Sequence, residues 1–243
     1  MPGDKGSVGG EADLIGIAEA RSALSWWLDA GVDCALQEEA RNWLKPSERP
    51  RIVEAATPPN VTQPSHETLS ELKEWLASSA HLPLASASAR RILPHGPEVA
   101  AIMLLSDAPA LEDYTAGQPI GGEAWELTKK MLQAIGLGPD EAYSASLSPM
   151  HAPGSRLTPK DREEYAKIAR QHIRLAAPKR LVLFGDGPSQ ALLGKRLVDA
   201  RGRAHKIEDV RAVATFHPRH LIKRPLDKSL AWQDLLLLME DET

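Results

Sequence analysis

The chain has 243 residues, 42% of them apolar and 26% charged, the composition of an ordinary folded protein with room for one substantial α/β domain and an appendage. No apolar run approaches the roughly 20 residues that a membrane span needs, and the opening MPGDKGSVGGEADL has neither the basic nor the apolar region of a secretory signal, so a cytoplasmic protein is expected. One cysteine, Cys34, excludes a disulfide framework and a cysteine-built metal cluster within a single chain, and the net charge of −4 is modest.

That charge is unevenly placed. Residues 1–65 carry ten acids against six bases, which accounts for the whole excess, while Lys195–Lys228 holds ten Lys/Arg and four acids. A basic patch on an acidic protein can still meet phosphates, because screening limits distant charges to about 8–10 Å of reach. A solvated face is the alternative reading.

In chain order, residues 12–44 read as helical. ADLIGIAEARSALSWWLDAGV has helical apolar spacing with Gly31 as a stop, and DCALQEEARNWL suggests a second, short helix. Trp26 and Trp27 suit either the packing of this helical piece or a docking surface for a protein partner. KPSERPRIVEAATPPNVTQPS, with five prolines and no period, reads as a linker over residues 46–64. The expected organisation is therefore a helical segment 1–45, that linker, and an α/β domain 65–243. The domain opens with a helix at SHETLSELKEWLASSA, with Ser65 or His66 ahead of its first turn.

From about residue 96 strands and helices alternate. EVAAIMLLS is a buried strand, DAPALEDYTAGQPIGG is irregular, EAWELTKKMLQAIGL is a helix ending at Gly136, and EAYSASLSP is a short strand. After the loop MHAPGSRLTP comes the helix PKDREEYAKIARQHIRLAA, with Pro159 suited to its start. Then follow the strand KRLVLFG, the helix DGPSQALLGKRL, the strand VRAVATFH and the helix SLAWQDLLLLMED. FGDGPSQALLG matches neither GxGxxG nor the P-loop pattern, so it reads as a structural strand-to-helix turn. The alternation predicts a three-layer α/β/α fold with a mainly parallel central sheet. Ligands of such sheets sit at the carboxyl ends of the strands, which points to the loops after Leu105, Leu147 and Phe216.

The first of these loops offers Asp107, Glu112 and Asp113. A carboxylate there can position water or stabilise a developing cation, or simply cap the loop. The last offers His217, followed by Arg219, His220, Lys223 and Arg224. An imidazole there can donate to charge building on a leaving group while the cations hold phosphates.

The order of these motifs resembles the uracil-DNA glycosylase superfamily, most closely its family 4 branch. SDAPALEDYTAGQPIGG is similar to the family's GEAPG, ED and GxPFVG run, YSASLSPMHAPGSR to YITNVVKCRPPGNR, PKRLVLFG to PKVIVALG, and HPRHLIKRPLDKSLAWQDL to the terminal HPSYLLR segment. The resemblance spans roughly residues 80–240. It implies catalytic Asp107, His217 and Asp113, base contacts from Ile120, Ser146, Ala108 and Pro109, and a grip on the DNA backbone by Arg219, Lys223, Arg224 and Arg156. The chain departs from the family pattern at Ser106 and Ala110, which stand for glycines, at Ile120, which stands for the aromatic that stacks on uracil, and at Ser146, which stands for the asparagine that reads the base edge. The four cysteines of the family 4 iron–sulfur cluster are missing; two of their positions fall on Met150 and Tyr165, the other pair in LASASAR. No cofactor and no metal are therefore expected, with packed side chains in the cluster's place. The implied function is a monomeric DNA base-excision glycosylase acting on uracil or another deaminated base. A catalytically silent module binding nucleic acid or a protein partner is the alternative, and a small-molecule nucleotide enzyme a third.

Overall fold

The structure, a computed structural model, describes residues 66–85, 89–151 and 157–240 together with Ser22. The expected amino-terminal helices, the linker, Cys34, Trp26, Trp27 and Arg156 lie outside the described residues.

The strands are β1 (Arg90–Arg91), β2 (Ile102–Ser106), β3 (Ala142–Ser146), β4 (Met150–His151), β5 (Arg180–Phe184), β6 (Ala204–Ile207) and β7 (Val210–Thr215). The α-helices are α1 (Leu69–Ser78), α2 (Leu111–Ala116), α3 (Gly122–Ala134), α4 (Pro159–Ala176), α5 (Asp186–Leu193), α6 (Leu197–Ala200), α7 (Pro218–Lys223) and α8 (Lys228–Met239). The central sheet runs β3-β2-β5-β7-β6; every pairing is parallel except β6 with β7.

Side chains alternate across this sheet with the period of two that a pleated strand imposes. Met103, Leu105, Tyr143, Ala145, Leu181, Leu183, Ala212 and Ala214 face one core, closed by Leu72 of α1, Ile173 of α4, Leu192 of α5 and Ala200 of α6. Ile102, Leu104, Ala142, Val182, Phe184 and Val213 face the other, closed by Ala124 and Leu132 of α3 and by Leu235 and Leu238 of α8. The three-layer α/β/α expectation holds. Covering both faces explains why IMLLS and the end of RLVLF read as unbroken apolar runs.

Local chemistry sets the helix ends. Thr68 rather than His66 caps α1, Ser65 lying outside the described residues: the Thr68 hydroxyl accepts from the Glu71 N–H at 3.2 Å, and Glu71 reaches back to the backbone. Thr158 and Asp161 form the same box on α4, with Pro159 at its first position as expected. The stretch after β2 that reads as irregular contains α2, and the edge strand β6 and the β1–β4 ribbon are further elements without strong period. Gly96 closes the free edge of β3: its φ is +124°, His95 bridges Ser144, and a β-carbon at 96 would lie 2.9 Å from the Tyr143 Cα.

Beneath the sheet, the Tyr143 hydroxyl and His172 Nε2 share a 2.8 Å hydrogen bond. Burial, helped by Lys73, lowers the His172 pKa from 6.5 to about 3. The unfolded chain therefore binds a proton below pH 6.5 that the folded chain refuses, and stability falls as the pH drops from there toward 3. In urea titrations between about pH 6.5 and pH 4, the unfolding free energy should decline, and His172→Gln should flatten the slope by up to about 1.4 kcal/mol per pH unit.

Candidate active site

Strands β2, β5 and β7 are parallel neighbours, so the segments following them leave the sheet on one edge. Asp107 follows β2, and His217 lies two residues past β7. Their strands flank β5, which sets the two backbones two strand spacings apart, roughly 10 Å. The β5–α5 junction touches both: the Phe184 ring meets the His217 imidazole edge-on with centroids 5.8 Å apart, and Gly187 abuts the Asp107 carboxyl.

Asp107 keeps solvent-accessible surface, yet enough protein surrounds its carboxyl to raise its pKa. Desolvation is the main cause; the Arg162 guanidinium opposes it, and the Asp186 charge adds to it. Asp186 is itself anchored, accepting from the Leu197 N–H at 2.7 Å. Arg162, Phe184 and Gly187 are not predicted by the sequence, where only the departure from a pure helix former at Gly187 hints at a role.

His217 caps α7. Its Nδ1 accepts from the Arg219 backbone N–H at 3.1 Å, so in the neutral ring the proton resides on Nε2. Burial, reinforced by the Arg219 charge, lowers its pKa to about 3. The imidazole is thus a neutral donor with Nε2–H available, poised for an acceptor that gains negative charge.

Asp113, expected as a second catalytic carboxylate, is a structural clamp. It is 0% exposed, its Oδ2 accepts from the Ala110 N–H at 2.7 Å and its Oδ1 from the Gly121 N–H at 2.6 Å, so one carboxylate caps both α2 and α3. Its remaining partner is the Arg219 guanidinium. Arg219, expected on the DNA backbone, is therefore committed to tying α7 to α2, with Glu112 3.9 Å from its Nε. Gly121 permits this closure: a β-carbon there would stand 2.9 Å from the Asp113 Cα and 2.8 Å from the Glu112 carbonyl.

The expected base contacts divide. Ile120 is 0% exposed and sits in the core facing α3 and α8, which removes it as a stacking surface; its apolar side chain is held by that core instead. Ser146 stands at the site edge, but its hydroxyl lies 3.1 Å from the Ser106 hydroxyl at the end of the neighbouring strand. Ala108 is exposed and Pro109 buried, and the Pro109 carbonyl accepts from His151 Nδ1–H at 2.8 Å. His151 stacks against Tyr114, whose ring carries the Arg90 guanidinium 4.5 Å from its centroid. Lys223 and Arg224 are exposed at the end of α7.

Comparison with known proteins bears on this arrangement. Residues 93–236 match the family model described as the uracil DNA glycosylase superfamily. A type-4 uracil-DNA glycosylase of Archaeoglobus fulgidus is 24% identical over 141 residues, covering 54% of this chain and 71% of that protein. Another, of Pyrobaculum aerophilum, is 22% identical over 181 residues, covering 70% of this chain and 92% of that protein. The residues here do not fit the iron–sulfur cluster that the family 4 resemblance implies. Met150 and Tyr165 are buried in one core with Leu82, and the Tyr165 hydroxyl donates to the Pro83 carbonyl at 2.6 Å. Thioether and phenol thus occupy positions where a cluster would need thiolates.

Asp107 and Asp113 should respond oppositely to substitution. Ionising Asp107 works against folding at neutral pH, because its folded pKa lies above the ordinary 3.8. Asp107→Asn should leave the thermal midpoint unchanged or raise it. Asp113→Ala uncovers two N–H groups and strands Arg219, and should cost about 3–5 kcal/mol in urea unfolding followed by circular dichroism.

Proposed function

The chain belongs to the uracil-DNA glycosylase superfamily, and from that premise we propose that it hydrolyses the N-glycosidic bond of a flipped uracil or other deaminated base in DNA. The observation that carries this reading is that the Asp107 carboxyl and His217, whose Nδ1 accepts from the Arg219 N–H, follow the two strands flanking β5 and stand on one edge of the sheet.

A nucleotide must leave the duplex stack before its glycosidic bond is reachable. As that bond breaks, positive charge grows on the sugar and negative charge on the base. Ionised Asp107 stabilises the sugar cation and positions the attacking water. His217 donates its Nε2 proton in a hydrogen bond to the departing base anion, and a pKa near 3 keeps it neutral at working pH. Ala108, Pro109 and Ser146 border the base. Lys223, Arg224 and Arg156 meet the phosphates, Arg219 being held by Asp113.

His217→Ala and Asp107→Asn should each lower single-turnover excision by orders of magnitude with the fold intact. The acid limb of the pH–rate profile should follow Asp107 and lie above the ordinary aspartate value, while His217 stays neutral until about pH 3. Replacing Lys223 and Arg224 together with alanine should shallow the salt dependence of DNA binding by about 0.7–0.9 per lost phosphate contact.

One observation favours a second reading, the catalytically silent nucleic-acid-binding module. With Ile120 sealed in the core and the Ser146 hydroxyl beside that of Ser106, the side chains that read uracil in the family pattern have no direct counterparts. Loss of such an amide contact weakens base discrimination by about 1–3 kcal/mol. Oligonucleotides carrying uracil, hypoxanthine or xanthine, single- and double-stranded, separate the two. Abasic product from any of them supports the enzyme; binding without product from all of them supports the module.

A further inference from the structure

We propose that Gly187 is a positioning residue whose missing β-carbon forms the seat of the Asp107 carboxylate. The inference rests on the reading of Asp107 as the carboxylate that acts on the sugar.

Gly187 is the second residue of α5. Its neighbour Gly185, the helix cap, has φ of +92° and needs glycine for its backbone; Gly187 is not among the residues of positive φ. Within a helix, glycine is the poorest former after proline, so neither backbone conformation nor helix propensity calls for it. Space does. A β-carbon at 187 would lie 2.7 Å from Asp107 Oδ2, and closer still to Oδ1 and the carboxyl carbon, where real β-carbons keep beyond 3.0 Å. All three overlapped atoms are the far end of a side chain, not backbone. A methyl group can therefore be accommodated by swinging Asp107 aside, with the fold kept. The seat restricts the carboxylate from the helix side, while the Asp107 carbonyl accepts from the Ser148 N–H at 3.4 Å and holds its backbone toward β3. A carboxylate confined this way is pre-organised for charge that develops at one place, and a misplacement of about 1 Å can cost about 100-fold in rate.

Gly187→Ala is tested on the full chain with a single-stranded oligonucleotide carrying one uracil, enzyme in excess. The saturating single-turnover rate should fall about 100-fold. The half-saturating enzyme concentration should not change, and the thermal midpoint should not drop. In an Asp107→Ala background the same substitution should change nothing further, because the group it displaces is gone. Independently, carbon-detected NMR titration of the Asp107 carboxyl in the two proteins should show its pKa moving down toward the ordinary value in the alanine variant, as the displaced group meets water. An unmoved titration overturns the proposal whatever the rate does, as does an equal rate loss in both backgrounds. If the unsubstituted protein releases no base from any oligonucleotide, the catalytic reading fails, and the titration alone decides for or against the seat.

Discussion

Strand β5 lies between the two strands that carry the candidate groups, and the rest of the site depends on its reach. Its residues Leu181–Phe184 are buried on both faces, so the strand cannot shift without opening two cores at once. Each buried Leu or Phe contributes on the order of 1.5–3 kcal/mol to holding it there. At its carboxyl end the chain presents Phe184 to the His217 ring and then turns, through a glycine of positive φ, into the helix whose second residue meets Asp107. One packed junction therefore touches both polar groups from between them.

The first loop shows how environment divides two like side chains into different roles. Asp107 and Asp113 are six positions apart and both follow β2. Asp113 is wholly buried and fully partnered by two backbone donors and a guanidinium, so it serves the structure. Asp107 retains exposed surface and none of those partners, and desolvation leaves its ionised form less favoured than in water. A carboxylate in that condition gains from a cation forming nearby. The Asp113–Arg219 pair does indirect work as well, because Arg219 is also the residue whose backbone N–H fixes the His217 tautomer.

Several neighbouring positions depart from the family pattern. Where the family pattern places cysteines, Tyr165 and Met150 pack into the core beneath β3, and the phenol closes onto the Pro83 carbonyl. Burial raises the Tyr165 pKa to about 12, so the hydroxyl stays a neutral donor. Where the pattern places an aromatic and an asparagine, there is a buried isoleucine and a serine facing another serine. Sequence identity of 22–24% to the type-4 enzymes fits a scaffold kept while its periphery was rewritten.

Much of the scaffold was legible in the sequence because its signals are local. The apolar runs IMLLS and RLVLF, the helical period after Pro159 and the glycine at 136 each depend on nearest neighbours along the chain, and they determined the layers and the parallel sheet. That Asp107 and His217 each follow a strand on the same edge of the sheet was legible too, since strand–helix alternation implies parallel strands whose carboxyl ends share one edge. What only the tertiary structure decided involves residues distant in sequence. Asp113 looked as free as Asp107 until Arg219, 106 positions later, was found against it. Ile120 looked available until two helices closed over it, and Gly187 looked like punctuation until a side chain 80 positions earlier filled the space where its β-carbon would be. Pattern along a chain encodes which face is buried; occupancy of a given cubic ångström is set by whatever else arrives there, and no local period carries that information.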